Sequence, residues 1–360
     1  MKLILAGGGT GGHLFPALAI AEALKKEDPS SEVLFVGTKR GIEAKVIPQT
    51  EFSIKFVSAR GIIRTGIINS IRAGVEIPIG IIQSLKIINN FKPDFVLGVG
   101  GYASAPTLMA ALIFNIQSGV QEQNSVMGAA NRMLSKFVND IFISWENTTP
   151  RTPSEKTFLV GNPVRKTLFE TGSVPIDNDK FKILIFGGSR GANSLNLGII
   201  EHLDQLKTIA PKVKIVHQTG SDLLDKVRDA YHEAGVNAEV KEFINDMGAY
   251  YSWADLVVCR AGASSLAEIT AVGKPAIVVP FPFATDDHQT KNALWLERQH
   301  AVKMVKDVDL NQGSLISEIR KLLEAPSELK LMAENARRLG RPDAARAIVL
   351  HILKSQRLAA

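Results

Sequence analysis

Residues Lys2-Leu3-Ile4-Leu5-Ala6-Gly7-Gly8-Gly9-Thr10-Gly11-Gly12-His13 read as a buried strand that runs directly into a glycine loop. A helical pattern is predicted to begin at Pro16 and continue through Leu18, Ile20, Ala21 and Leu24. The design recurs in mid-chain. Phe181-Lys182-Ile183-Leu184-Ile185-Phe186 enters Gly187-Gly188-Ser189-Arg190-Gly191-Ala192, and Leu195, Leu197, Ile199, Ile200 and Leu203 mark the helix after it. A third loop, Gly98-Val99-Gly100-Gly101-Tyr102-Ala103-Ser104, follows the apolar run 95–97. Each half of the chain therefore carries a strand–glycine loop–helix unit.

Further apolar runs at 33–36, 141–143, 213–216, 256–258 and 276–279 alternate with helical patterns. Strands written almost wholly in Val, Ile and Leu, separated by helices, imply parallel sheets covered on both faces. The fold class is thus α/β, as two doubly wound, Rossmann-like domains. The predicted boundaries are 1–162, 163–342 and a C-terminal helix in 343–360, which packs on either domain. The break follows Thr148-Thr149-Pro150-Arg151-Thr152-Pro153, near Gly161-Asn162-Pro163. Ligands of such sheets bind beyond the carboxyl ends of the strands, and two domains facing each other would share one cleft.

The 360 residues suffice for two cores, and 45% hydrophobic with 22% charged residues is a globular profile. The lone cysteine, Cys259, excludes an internal disulfide; its run Leu256-Val257-Val258-Cys259 marks a buried thiol rather than a nucleophile. The N-terminus lacks the pattern of a secretory signal, so the chain is expected to stay in the cytosol. A formal charge of +6 favours acidic partners such as diphosphates or an anionic membrane. Nucleic acid is not expected, because neither zinc-ligand spacing nor an RNP-type aromatic run is present.

Gly7, Gly9 and Gly12 satisfy G-x-G-x-x-G, but dinucleotide binding also wants an acid at the end of the second strand. The chain has Val36-Gly37-Thr38-Lys39 there, and Val216-His217-Gln218 in the second half. The dinucleotide reading fails. A diphosphate held by loop amides and a helix N-terminus remains, against tight turns that bind nothing.

Six strings carry a resemblance that spans nearly the whole chain: GGGTGGHLFPALAIAEAL from Gly7, GVGGYASAP from Gly98, EQNSVMGAANR from Glu122, GNPVR from Gly161, GGSRGAN from Gly187 and CRAGASSLAEITAVGKPAIVVPFP from Cys259. In this order they resemble the MurG family of undecaprenyl-diphospho-muramoylpentapeptide N-acetylglucosaminyltransferases. The resemblance implies a GT-B fold and inversion at the anomeric carbon, with neither divalent metal nor cofactor. It further implies UDP-N-acetylglucosamine as donor, lipid I as acceptor and lipid II as product, in peptidoglycan synthesis at the cytoplasmic face of the bacterial inner membrane. The alternatives are another GT-B enzyme, such as a UDP-N-acetylglucosamine epimerase or glycolipid transferase, and a non-catalytic binding partner.

Carried over position by position, the resemblance implies donor contacts from Thr10, Gly11, Gly12, Asn124, Arg165, Ser189, Ile244 and Gln289. It adds the run Gly262, Ala263, Ser264, Ser265, Leu266, Ala267 and Glu268. The chain departs from the family around Gln289, where Thr285-Asp286-Asp287-His288-Gln289 has an extra residue and a histidine in place of a first glutamine.

An inverting transfer needs a base for the acceptor hydroxyl and dipolar groups for the leaving diphosphate. His13 is one candidate base, at a helix N-terminus that disfavours imidazolium; the alternative is a residue that only bonds loop backbone. Glu122 is the rival base. Ser189 and the amides of 188–192 suit the diphosphate, with Arg165 assisting or merely solvated in the linker. Arg260 supports the same site or braces its loop. Ser265-Leu266-Ala267-Glu268 fits a capping box, which competes with ribose binding for Glu268. Asp177-Asn178-Asp179 reads as a polar turn rather than a metal site. The Ile-rich stretch 67–88 is broken by Arg72, Glu76, Pro78 and Lys86, which argues against a spanning helix. It is either a core helix or an amphipathic one lying against anionic lipid.

Overall fold

The computed structural model describes residues 1–59, 67–170, 180–188 and 191–359, with 67–75 and 358–359 described by backbone alone. Two compact units emerge: Met1–Arg165 together with Pro342–Ala360, and Lys166–Arg341.

The first unit is built on a parallel sheet of β1 (Lys2–Ala6), β2 (Glu32–Gly37), β3 (Ser53–Phe56), β4 (Phe95–Gly98), β5 (Gln117–Glu122), β6 (Asp140–Ile143) and β7 (Thr157–Leu159), in the order β3-β2-β1-β4-β5-β6-β7. Leu5 of β1 lies between Phe35 and Leu97. Successive β1 side chains supply opposite faces, as the two-residue period of a strand requires. Leu3 and Leu5 enter one core with helix α1 (Gly11–Glu27), and Ile4 and Ala6 enter the other. Helices α2 (Ile67–Phe91) and α3 (Ser104–Ile113) pack on that second face. The last helix, Ala344–Ala359, returns to lie along α1, and its Ile348, Val349 and Ile352 complete the first face.

In the second unit β8 (Phe181–Phe186), β9 (Val213–Gln218), β10 (Ala238–Lys241), β11 (Leu256–Arg260), β12 (Ala276–Val279) and β13 (Val302–Met304) form a parallel sheet ordered β10-β9-β8-β11-β12-β13. The strand order reverses around β1 in one sheet and around β8 in the other. These are the switch points at which open α/β sheets bind ligands, and a glycine turn leaves each of them. Helices α4 (Asn193–Ile200), α5 (Ala263–Val272) and α6 (His288–Arg298) follow β8, β11 and β12.

Two local expectations change. Helix α1 starts at Gly11, and Pro16 lies inside it. Pro16 is the sixth residue of α1, beyond the first four N–H groups that lack an intrahelical partner, so its missing N–H removes one intrahelical bond, to the Gly12 carbonyl. His13 therefore belongs to the first helical turn. The strands β3, β5, β7, β10 and β13 also join runs that the apolar pattern did not mark. Cys259 is fully buried, and burial pushes its thiol well above the usual range. It is a core side chain.

A buried polar relay sits under the second sheet. Asn196 gives its amide hydrogens to the Thr219 carbonyl, so its oxygen accepts from His217 Nε2 at 3.1 Å, and His217 Nδ1 accepts from Tyr231 at 3.1 Å. Desolvation lowers the His217 pKa from 6.5 to about 3. The neutral ring then stabilises the fold fully above pH 6.5, and that contribution declines as pH falls from 6.5 towards 3. Urea unfolding at pH 7 and pH 4 should show a loss of about 2–4 kcal/mol from this residue. His217→Asn, which cannot take a proton, should flatten that part of the pH dependence.

Candidate active site

The first-unit site begins where two glycine loops meet. The Gly8 N–H donates to the Gly100 carbonyl at 3.2 Å, and a Cβ on Gly101 (φ +81°) would stand 2.3 Å from the Gly8 oxygen. Side chains are excluded here by backbone contact. Beside them lies Glu43, a buried carboxylate that the sequence did not reveal. Its Oε2 accepts from the Gly9 N–H at 2.7 Å, and its Oε1 accepts from the Thr38 N–H at 2.8 Å and hydroxyl at 3.2 Å. An anion-binding amide of the first loop is thus satisfied from within. The signal for Glu43 was indirect: Gly8, Gly37 and Gly41 all crowd its carboxyl group.

His13 is half-buried, and its Nδ1 lies 3.1 Å from Gln123 Oε1. Gly100 leaves room for the ring, since a Cβ there would come within 2.7 Å of Nδ1. Thr10 is the N-cap of α1; its carbonyl, rather than its side chain, takes the N–H groups of His13 and Leu14. The structure brings Thr10, Gly11, Gly12 and His13 into one neighbourhood with the 122–124 turn.

Glu122 is buried at the end of β5. One oxygen accepts from the Asn124 N–H at 3.0 Å and its amide at 3.4 Å; the other accepts from the Gly128 N–H at 3.0 Å and Asn131 at 2.9 Å. Such a carboxylate holds the 122–131 turn together, and turning towards a substrate hydroxyl would break that turn. The arrangement weighs against Glu122, the rival to His13 for the base. Arg165 stacks its guanidinium on Phe15 of α1 at 4.7 Å, so it is a placed cation rather than a solvated linker charge.

In the second unit, Ser189 and Arg190 lie outside the described residues, as does the Asp177-Asn178-Asp179 run. The turn around them is anchored on both sides. Gly191 (φ +75°) lies so close to the Thr219 carbonyl that no Cβ fits, and Gln218 at the end of β9 donates to the Gly188 carbonyl at 2.9 Å. The same Gln218 accepts from the Ile244 N–H at 2.8 Å, so one buried amide ties the glycine turn to Ile244. The next residue back, Phe243, is exposed, as are Phe281 and Phe283 after β12.

Helix α5 starts at Ala263 with Gly262 as N-cap. Ser265 is therefore inside the helix and Glu268 lies beyond its first turn, so the capping-box reading is overturned. Glu268 accepts instead from the buried Tyr251 hydroxyl at 3.0 Å. Ser264 and Ser265 are half-buried, Ala263, Leu266 and Ala267 buried, and Ser264 Oγ has no partner among the described residues. Arg260 donates to the Val279 carbonyl, Asp307 and Ser194, which makes it a brace of the loop wall. The Gln289 side-chain oxygen accepts from the Phe281 N–H at 2.9 Å, and His288 Nδ1 lies 2.7 Å from the Thr285 carbonyl. The segments 262–268 and 281–289 follow the carboxyl ends of β11 and β12.

Two doubly wound units with glycine turns at their switch points define the GT-B class of sugar-nucleotide enzymes. Residues 3–143 match the N-terminal domain of glycosyltransferase family 28 and residues 182–348 its C-terminal domain. The chain belongs to this family. It is 46% identical to the UDP-N-acetylglucosamine–N-acetylmuramyl-(pentapeptide) pyrophosphoryl-undecaprenol N-acetylglucosamine transferase of Geobacter sulfurreducens, over 99% of both chains. Among solved structures, that of Acinetobacter baumannii MurG superposes with a TM-score of 0.79 at 30% identity, over 98% of this chain and 99% of that one. A putative UDP-N-acetylglucosamine 2-epimerase from Listeria monocytogenes superposes with a TM-score of 0.69 at 16% identity, over 100% and 97% of the chains, a likeness of fold alone.

Loss of the Glu43 carboxylate should unhook the first loop. Glu43→Ala is expected to lower unfolding free energy by about 2–4 kcal/mol, because buried donors lose a charged acceptor. Chemical denaturation measures this directly.

Proposed function

We propose that this enzyme transfers N-acetylglucosamine from UDP-N-acetylglucosamine to lipid I, undecaprenyl-diphospho-N-acetylmuramoyl-pentapeptide, giving lipid II. The carrying observation is the 46% identity over 99% of both chains to a relative whose name states this transfer. That likeness favours transfer over epimerisation.

His13 takes the proton of the acceptor hydroxyl as its oxygen attacks the anomeric carbon. The bond from that carbon to the diphosphate oxygen breaks, and its electron pair leaves with UDP. Attack from the face opposite the leaving group inverts the centre. The amides of the turn at 188–192 and Ser189 receive the diphosphate. Ile244 and the 262–268 segment hold the nucleoside, with Glu268 accepting from the ribose hydroxyls and the Tyr251 hydroxyl fixing its orientation. Gln289 contacts the donor from the start of α6, and Thr10, Gly11, Gly12, Asn124 and Arg165 line the first-unit side.

The enzyme works as a peripheral protein on the cytoplasmic leaflet. No described helix is long and apolar enough to cross a membrane. Helix α2 nevertheless leaves Ile79 at 42% and Ile82 at 67% exposure, beside the exposed Lys86. Apolar tips with basic neighbours suit an anionic lipid surface.

Incubation with UDP-N-acetylglucosamine, lipid I and EDTA should release UDP and form a lipid-linked disaccharide. UDP-N-acetylglucosamine alone should remain unepimerised. His13→Ala should lower kcat by about 10²- to 10⁴-fold while donor affinity stays unchanged. Liposome flotation should report weaker binding when Ile79 and Ile82 are both replaced by Asp in a folded protein; unchanged flotation would refute this contact surface.

A further inference from the structure

We infer that Gln123 is a positioning residue that fixes His13 as the Nδ1–H tautomer, so that Nε2 is the atom that accepts the substrate proton. The inference rests on His13 acting as base, and it follows from what each atom can donate. Gln123 is buried, with its backbone carbonyl held by the Trp145 indole N–H at 3.0 Å. One end of its side-chain amide faces the Val99 carbonyl at 2.7 Å. A carbonyl only accepts, so that end must be the NH2 group. The amide cannot be flipped without setting two oxygens against each other.

The other end, Oε1, then faces His13 Nδ1 at 3.1 Å. An amide oxygen only accepts, so Nδ1 must carry the hydrogen. A neutral imidazole has one N–H, which leaves the lone pair on Nε2. The hydrogen bonds run from the Val99 carbonyl through the Gln123 amide to His13 Nδ1, and each has one permitted polarity.

The neighbourhood reinforces the lock. Gly100, in the same loop as the Val99 carbonyl, gives the ring its space; any larger residue would push Nδ1 away. Gln121 adds an acceptor beside Gln123 Nε2 and is itself held against Ser144 and Asn162. The ring is thus oriented by residues on the loops after β4 and β5, while its own backbone rides on α1. Other readings of Gln123, such as mere filling of the core, do not specify a tautomer.

The first test is nitrogen-15 NMR of histidine-labelled full-length protein. The His13 resonances, assigned by their absence in His13→Ala, should show a protonated Nδ1 and an unprotonated Nε2 at neutral pH. A proton on Nε2 overturns the proposal. The second test is the pH profile of kcat/KM. Gln123→Met takes the acceptor away from Nδ1, which disfavours imidazolium, so the acidic limb should move down by about one pH unit with UDP-N-acetylglucosamine affinity unchanged. An unmoved limb overturns the coupling.

Gln123→Met removes the acceptor and should lower kcat by about 10- to 100-fold, a part of what a general base supplies, without raising KM for the donor. If that variant does not fold, the wild-type nitrogen spectrum still decides. Should His13→Ala retain full turnover, the base assignment itself fails, whereas the nitrogen spectrum reports separately on whether Gln123 sets the tautomer.

Discussion

The approach of two glycine loops, with the Gly8 N–H on the Gly100 carbonyl, is the constraint on which the first unit's chemistry depends. Backbones this close admit no side chains between them, and the space that remains is shaped for one imidazole ring and one internal carboxylate. Glu43 fills the anion position that the loop amides create. His13 takes the opening left by Gly100. A β-carbon on Gly8 would strike the Glu43 carboxyl group, and one on Gly100 would strike the His13 ring.

The second unit solves a similar turn differently. Its glycine loop is pinned from outside, by Gln218 and by the Thr219 carbonyl, and no described carboxylate reaches into it. In the first loop, by contrast, the Gly9 N–H is already bonded to the Glu43 carboxyl group. The two halves share a topology, and in the proposed reaction they divide the labour: one would orient the proton acceptor and the other would receive the diphosphate.

How far the sequence could be read follows from the physics of each element. Strands such as 183–185 and 256–258 were legible because both faces are buried and every position is apolar. β5 was not, since Gln117-Ser118-Gly119-Val120-Gln121-Glu122 reads as polar. Its Gln121 and Glu122 are buried because they bond Ser144, Asn162 and Asn131 in neighbouring segments, a form of satisfaction that residue type alone does not disclose. β3 and β10 are short edge strands that alternate polar residues and escaped for that reason. His13 was visible as a motif residue, but its partner Gln123 was not, because 110 positions separate them. The capping-box pattern at Ser265 misled because the helix had already begun at a glycine N-cap, where the backbone needs no side-chain oxygen.

The return of the C-terminal helix to α1 has a further consequence. Ile348, Val349 and Ile352 close the same core as Leu3 and Leu5, so the first unit is discontinuous in the chain. During synthesis its sheet can assemble early, but one flank stays uncovered until the helix Ala344–Ala359 has left the ribosome. A fragment ending near Arg165 would present that bare flank permanently, making it a poor autonomous domain and a ready target for proteolytic surveillance.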